Sequence, residues 1–195
     1  MKNPPFNRSD FYSIIKSRRS IRAYKKDTVP EKLIEKIIEA ATWAPSGKNL
    51  QNWRLFILTG KKKEDYLKLS QKSWLSLKDA LIKRLKPSLY EFTERFFYTL
   101  GEAPVLILAY SKFYPEEQHQ TSFGSVYMAV QNLILAAHYE GLGTCVMGAP
   151  LEIKDEVNEF LEVKEMDLIC GITLGYPDHE PPAAERKKDC VKWID

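Results

Sequence analysis

Arg18-Arg19-Ser20-Ile21-Arg22, then one amphipathic stretch, then Ala44-Pro45-Ser46-Gly47-Lys48-Asn49-Leu50-Gln51-Asn52-Trp53: the order of these segments decides how the 195-residue chain reads. Arg18, Ser20 and Arg22 alternate after a helix end, and on an extended backbone alternate side chains point the same way. Two guanidiniums and a hydroxyl on one side suit a phosphate-bearing ligand, and they equally suit a solvated basic turn. Pro30 and Glu31 are first-turn residues for the intervening helix, where Leu33, Ile34, Ile37, Ile38 and Ala41 mark one buried stripe that stops before Pro45. The second segment combines a tight loop with amides that can donate to and accept from a polar ring edge. Alone, it reads as a helix-to-strand connection.

Working outward, Ser9 can cap a short helix carrying Phe11, Ile14 and Ile15. Trp53 to Thr59 reads as a strand closed by Gly60. From Lys61 to about Thr99 the texture becomes lysine-rich helix, with Trp74, Leu77, Leu81, Ile82 and Leu85 at helical spacing and a break at Pro87. Its basic run, Lys61-Lys62-Lys63, reads as a solvated turn or helix start. Pro104 to Tyr110 is a continuous apolar run that suits a strand covered on both faces. A helix over roughly Ser122 to Glu140 is apolar on nearly every side, which predicts burial in the core or against a second subunit. Thr144 to Gly148 predicts a short strand or turn, Ile153 to Leu161 an amphipathic helix, and Met166 to Leu174 the last strand. Strands and helices do not alternate strictly, so a mixed sheet with packed helices is favoured over a doubly wound parallel fold.

An apolar content of 44% with 12% aromatics can fill a globular core. The net charge of +3 suits an anionic ligand but is too small to argue for nucleic acid. The start of the chain has no apolar leader and no run approaches a membrane span, so the expectation is a cytoplasmic protein that engages no membrane. Cys145, Cys170 and Cys190 form no paired motif, which fits a reducing compartment. His119, His138 and His179 lack zinc-site spacing and read as surface or packing residues, with no metal expected. Fingerprints for dinucleotide folds, P-loops, hydrolase elbows and zincins are missing from the sequence. With no stand-alone catalytic constellation, weight shifts to a cofactor that brings its own reactivity.

In order and spacing, the Arg-Arg-Ser segment and the Pro-Ser-x-x-Asn loop resemble the nitroreductase family of flavoproteins. Gly141-Leu142-Gly143-Thr144-Cys145-Val146-Met147-Gly148 after a long apolar helix, then Gly175-Tyr176-Pro177 with a later basic cluster, extend the likeness from Phe11 to Lys188. The resemblance implies an α+β fold with a mixed, mainly antiparallel central sheet flanked by helices. It implies a single domain over 1–195, with a helical excursion at about 61–99 and a dimer-embracing tail at about 178–195. It further implies FMN as cofactor, NADH or NADPH as donor, a small-molecule acceptor such as a nitroaromatic or quinone, ping-pong turnover, and a homodimer with flavin sites at the interface.

Carried across by position, the Arg18-Arg19-Ser20 element belongs to the phosphate site, with Arg18 and Ser20 on the phosphate. Arg22 would face the flavin N1 and O2 edge, where a guanidinium stabilises charge that builds on reduction. Pro45, Ser46, Gly47, Asn49 and Gln51 would reach the flavin across the dimer interface. Val146, Met147 and Gly148 would pass its face and N5 through their backbone. Arg186 and Lys187 would complete the phosphate site, or Lys188 if the register slips by one. No side chain is assigned as catalytic, since the flavin would carry the chemistry.

The sequence departs from the family pattern at Asn52, where many relatives have proline, and at Arg95-Phe96-Phe97-Tyr98, where some have a flavin-contacting asparagine and lysine. The 61–99 excursion is expected to roof the pocket, its aromatic residues either stacking on a flat acceptor or packing in the core. Cys145 reads as a small buried residue. Val191-Lys192-Trp193-Ile194 alternates like an edge strand, which either embraces a partner subunit or packs on its own. Related flavoproteins remove halogen from aromatic substrates or consume the flavin, so those chemistries stand as alternatives. A non-enzymatic nucleic-acid-binding module is the remote one, disfavoured by Glu64, Asp65, Asp79, Glu91 and Glu94 among the lysines.

Overall fold

In the computed structural model, which describes residues 10–114, 119–187 and 189–194, Asp10 caps the first helix, α1 (Phe11–Ser17). Its carboxylate accepts from the backbone N–H groups of Tyr12 at 3.3 Å and Ser13 at 3.0 Å, satisfying two of the donors a helix start leaves over. The cap expected at Ser9 lies outside the described residues. Helix α2 (Glu31–Thr42) buries Ile34, Ile37 and Ala41, as its stripe predicts, and leads through a 3-10 turn (Gly47–Asn49) into strand β1 (Trp53–Leu58). Two helices follow, α3 (Gly60–Ile82) and α4 (Pro87–Thr99). Strand β2 (Val105–Lys112) precedes α5 (His119–Tyr139), β3 (Gly143–Met147), a 3-10 turn (Ala149–Ile153), α6 (Lys154–Leu161) and β4 (Met166–Gly175).

The four strands run in the order β1-β2-β4-β3 and pair antiparallel throughout. Among the described residues the parallel element is a single bridge between Ser20 and Thr144, which lays the Arg18–Arg22 segment beside β3. Strand β2 is covered on both faces, and its period of two divides the core. Val105, Ile107 and Ala109 join the layer under α2 and α5, while Leu106, Leu108 and Tyr110 join the opposite layer with Tyr66, Phe96 and Val157. On β4, Cys170, Ile172 and Leu174 share the first layer. Between the Ala109–Cys170 and Tyr110–Leu168 pairs the register shifts, and Ile169 is the extra residue of a β-bulge.

Helix α5 begins three residues before its expected start and is buried along one face only: Val126, Ala129, Val130, Leu133 and Ala137 enter the core. Tyr127 and Met128 stay 48% and 42% exposed. The 61–99 excursion is helical as expected. In it Ser70 Oγ donates to the Phe97 carbonyl at 2.6 Å, tying α3 to α4, and Trp74 packs against the rings of Tyr90 and Phe97. The lysine run opens α3: Lys62 Nζ donates to the Phe160 carbonyl, and Lys63 Nζ to that of Ala103. In the C-terminal tail Val191, Trp193 and Ile194 are 68%, 88% and 85% exposed, so this chain does not pack the tail's apolar side chains onto itself. No described helix is long and apolar enough to cross a membrane.

Candidate functional site

The Arg18–Arg22 segment is extended because it is hydrogen-bonded on both sides. The Ile21 amide donates to the Thr144 carbonyl at 2.9 Å, and the Tyr24 amide donates to Gly101 at 2.8 Å. Tyr24 Oη reaches the Ile21 carbonyl at 2.6 Å and Thr173 Oγ1 at 2.7 Å. Ile21 turns inward and is buried, which leaves Ser20 and Arg22 on the outward side, as alternation requires. Two glycines permit this close docking. At Gly143 a Cβ would press on the Ile21 side chain, and at Gly101, with φ of +66°, it would collide with the Arg22 carbonyl.

Arg18 is half-buried. Desolvation, followed by the charges of Arg19 and Arg186, pushes its guanidinium below its ordinary pKa. Among the described residues no carboxylate forms an ion pair with Arg18, Arg22 or Arg186. The fold brings Arg186 to Arg18 from 168 positions away. Cys145 lies against it: burial raises its thiol pKa, while Arg22 and Arg18 act in the opposite direction. That is the small buried residue expected. Arg19 turns away, donating through Nη1 to the Lys16 carbonyl at 2.7 Å and to its neighbour's at 2.8 Å, in a cleft with Ser17 and His138. Lys187 is exposed, and Lys188 lies outside the described residues.

Arg22 also stands at a cavity of about 230 Å³ between the end of β3 and the α3–α4 pair. Val146, Met147 and Gly148 line it, as do Tyr66, Ser70, Ser73, Phe96 and Phe97. Val146 is exposed, and a Cβ built on Gly148 would meet nothing, so the end of β3 offers an open, mostly apolar edge. A second cleft on the other side of Arg22 holds Arg95, Phe92 and Thr99. The excursion forms the roof expected of it, and Tyr66, Ser70 and Ser73, which the sequence does not single out, belong to the wall. Their signal was polar residues set at helical spacing in the same helix as Trp74, Leu77 and Leu81.

The Pro45–Gln51 loop stands apart from that cavity and lies on α5. Ser46 Oγ accepts from the Gln51 amide at 2.9 Å, and the Gly47 amide donates to Ser125 Oγ at 3.3 Å. Lys48, Asn49 and Gln51 all hold φ near +50°, a left-handed backbone that costs about 1–2 kcal/mol per non-glycine residue. Asn49 and Gln51 pair with each other at 3.3 Å and are exposed. Behind the loop, buried Asn52 donates through Nδ2 to Ser111 Oγ at 2.9 Å, the Ser122 carbonyl at 3.0 Å and Ser122 Oγ at 2.6 Å. An amide that ties β1, β2 and α5 together accounts for a residue other than proline at this position.

The Nitroreductase family's sequence profile matches residues 15–176. The chain is 32% identical over 187 residues to an iodotyrosine deiodinase of Thermotoga neapolitana, covering 93% of this chain and 96% of that protein. It is 26% identical to a 4-nitrobenzoate reductase of a Nocardioides species, covering 89% and 83%. Among solved structures, an oxidised iodotyrosine deiodinase bound to FMN and 3-iodo-L-tyrosine superposes with a TM-score of 0.75 at 28% identity, covering 94% of this chain and 98% of that one. A nitroreductase with bound FMN from Desulfitobacterium hafniense shares the fold, with a TM-score of 0.77 at 22% identity and coverage of 97% and 99%. With its antiparallel sheet, flanking helices and cationic segment beside β3, the chain belongs to the nitroreductase family.

Proposed function

We propose that this oxidoreductase binds FMN at the Arg18–Arg22 segment and the end of β3, takes reducing equivalents from NADH or NADPH, and reduces an electron-poor acceptor of the nitroaromatic or quinone kind. The observation that carries this is the half-buried Arg18 beside Arg186 with no carboxylate partner among the described residues. A desolvated cationic cluster is unfavourable unless an anion completes it. The residues fit the cofactor's two ends. Arg18, Ser20 and Arg186 would hold its phosphate, and Lys187 stands near in sequence, while Arg19 would add charge without a direct contact. Arg22 would stabilise negative charge on the ring edge, and Val146, Met147 and Gly148 present a strand end that is open at Gly148. When bound, FMN would supply the redox chemistry, hydride transfer at N5, and the nicotinamide and the acceptor would use one open site beside Val146, Met147 and Gly148 in turn, which gives ping-pong kinetics.

The loop of Pro45, Ser46, Gly47, Asn49 and Gln51 lines no part of the Arg22 cavity, so its contribution is to a second copy's site. Exposed Trp43, Tyr127, Met128 and Trp193 supply an apolar surface for that homodimer. The deciding measurement is the visible spectrum of purified protein with and without added FMN, followed by NADH and NADPH oxidation. A yellow, turnover-competent protein is expected; protein that stays colourless and inert with FMN overturns the reading.

The 32% identity to an iodotyrosine deiodinase favours one second reading, reductive dehalogenation of an aromatic substrate. Iodide release from 3-iodo-L-tyrosine by anaerobically reduced protein, faster than reduction of a nitroaromatic, would select it.

A further inference from the structure

The segment that carries Arg22 is held from inside by two hydroxyls in series. Tyr24 is 4% exposed, and its Oη lies 2.6 Å from the Ile21 carbonyl and 2.7 Å from Thr173 Oγ1. A carbonyl only accepts, so the phenol donates to Ile21 and Thr173 donates to the phenol. Burial pushes the Tyr24 phenol far above its ordinary pKa, which keeps its proton in that bond. Thr173 is fully buried on β4, and its Oγ1 also lies 3.5 Å from the carbonyl of Cys145, the residue before Val146 on β3. The pair therefore joins the cationic segment, β4 and the end of β3.

Folding accounts for Tyr24, because the Ile21 carbonyl needs a donor. It does not account for Thr173: valine there would bury a side chain of the same outline with no polar group to satisfy. What the threonine adds is a fixed phenol, and through it a fixed carbonyl. The backbone around Arg22 is then held at each step. The Ile21 amide donates to Thr144, the Ile21 carbonyl accepts from Tyr24, and the Arg22 carbonyl rests on the α-carbon of Gly101. Among the described residues no carboxylate forms an ion pair with Arg22, so the guanidinium takes its place from the backbone that carries it.

We infer that Tyr24 and Thr173 are positioning residues that set the reduction potential of the bound flavin, by holding Arg22 where its charge favours the reduced ring over the oxidised one. The inference rests on the flavin reading. A preorganised cation stabilises most the state that carries negative charge, so its placement acts on reduced FMN more than on oxidised FMN. A loosened fold, by contrast, weakens both oxidation states alike and leaves the potential where it was. The potential therefore separates a positioning role from a structural one.

The test is an anaerobic redox titration of FMN bound to wild type, Tyr24→Phe, Thr173→Val and Thr173→Ser, with flavin fluorescence quenching for the oxidised affinity and urea unfolding of the flavin-free proteins. Tyr24→Phe should weaken reduced FMN about tenfold more than oxidised FMN, which lowers the two-electron midpoint by about 30 mV. Thr173→Val should shift it in the same direction and by less. Thr173→Ser, which keeps the hydroxyl, should stay near wild type. Where Tyr24→Phe folds poorly or loses FMN, Thr173→Val decides. An unchanged midpoint in Thr173→Val, or a shift in Thr173→Ser as large as in Thr173→Val, overturns the positioning role, whatever happens to stability. Wild type that takes up no FMN overturns the flavin reading itself; wild type that binds FMN beside variants of unchanged midpoint overturns this inference alone.

Discussion

Gly101 holds its α-carbon against the carbonyl of Arg22, at a φ of +66° and with no room for a Cβ between them. Gly101→Ala therefore combines left-handed strain with a backbone collision, and should cost at least about 2 kcal/mol. Gly60 is the control: its φ is +48°, but a Cβ there meets nothing, so Gly60→Ala should cost only about 1 kcal/mol. Urea unfolding of the two variants would compare them. Gly101→Ala should also weaken FMN binding, because Arg22 must move.

Removing Arg18 should separate stability from binding. Arg18→Gln relieves desolvation and the repulsion from Arg19 and Arg186, so ligand-free stability should hold or rise. Affinity for FMN should fall by one to two orders of magnitude, about 1.5–3 kcal/mol for a charge-assisted bond. Flavin fluorescence quenching and thermal melts without flavin measure the two. A parallel loss of both would show that the arginine serves the fold.

Asn52 supplies donors to a cluster of acceptors, and the two obvious substitutions should differ in size. Asn52→Ala removes the Nδ2 donor, leaving Ser111 Oγ and Ser122 Oγ their bond to each other at 2.7 Å, and should cost about 2–3 kcal/mol. Asn52→Asp sets a carboxylate against those same oxygens and should cost more at neutral pH than at pH 4, where the carboxyl can donate.

Alkaline stability should fall from about pH 9. Burial pushes the Cys170 thiol up to about 12, above its value in the unfolded chain near 8.5. Between these values the folded state holds a proton that the unfolded state has released. The stabilisation is complete below about pH 8.5 and is lost as pH rises, by up to about 1.4 kcal/mol per pH unit. Cys170→Ala should flatten this dependence in denaturant titrations run from pH 7 to 11.

On the outer face of α5, Met128 is part of the surface assigned to the second copy. Met128→Glu should shift the protein from dimer to monomer in sedimentation and weaken flavin retention, since each loop would lose its partner site. Wild type sedimenting as a monomer at tens of micromolar would contradict the dimer.

What the sequence made legible was periodic. The stripe from Leu33 to Ala41 and the alternation through Val105 to Tyr110 are properties of the local chain, and both elements formed as read. The bulge at Ile169 was not legible because it is defined by the partner strand. Two cap-competent residues, Ser9 and Asp10, stand side by side, and sequence alone does not rank them. In the site, Arg18 and Arg22 were visible by alternation, but Arg19 was not separable from them: it turns to the carbonyls at the C-terminal end of its own helix, a local competitor for any arginine there. Tyr66, Ser70 and Ser73 share a helical spacing, but the wall they form exists only once α4 has crossed α3, through the Ser70–Phe97 bond between residues 27 positions apart.

Leu58 and Leu106 face each other across β1 and β2, so the whole α3–α4 segment leaves the sheet and returns to it at neighbouring points. It is an excursion held by a few residues: Tyr66 and Phe96 share a core layer with Leu106 and Leu108, and Thr99 Oγ1 accepts from the Gly101 amide at 3.1 Å. Where Tyr66, Phe96 and Thr99 are kept, the exposed positions between Gly60 and Thr99 are open to change without loss of the strand register or of Gly101, on which Arg22 rests. Diversification within such a scaffold can redraw the roof over the cavity while the cationic cluster beneath it stays constant, so what is reduced can change independently of what is bound to reduce it.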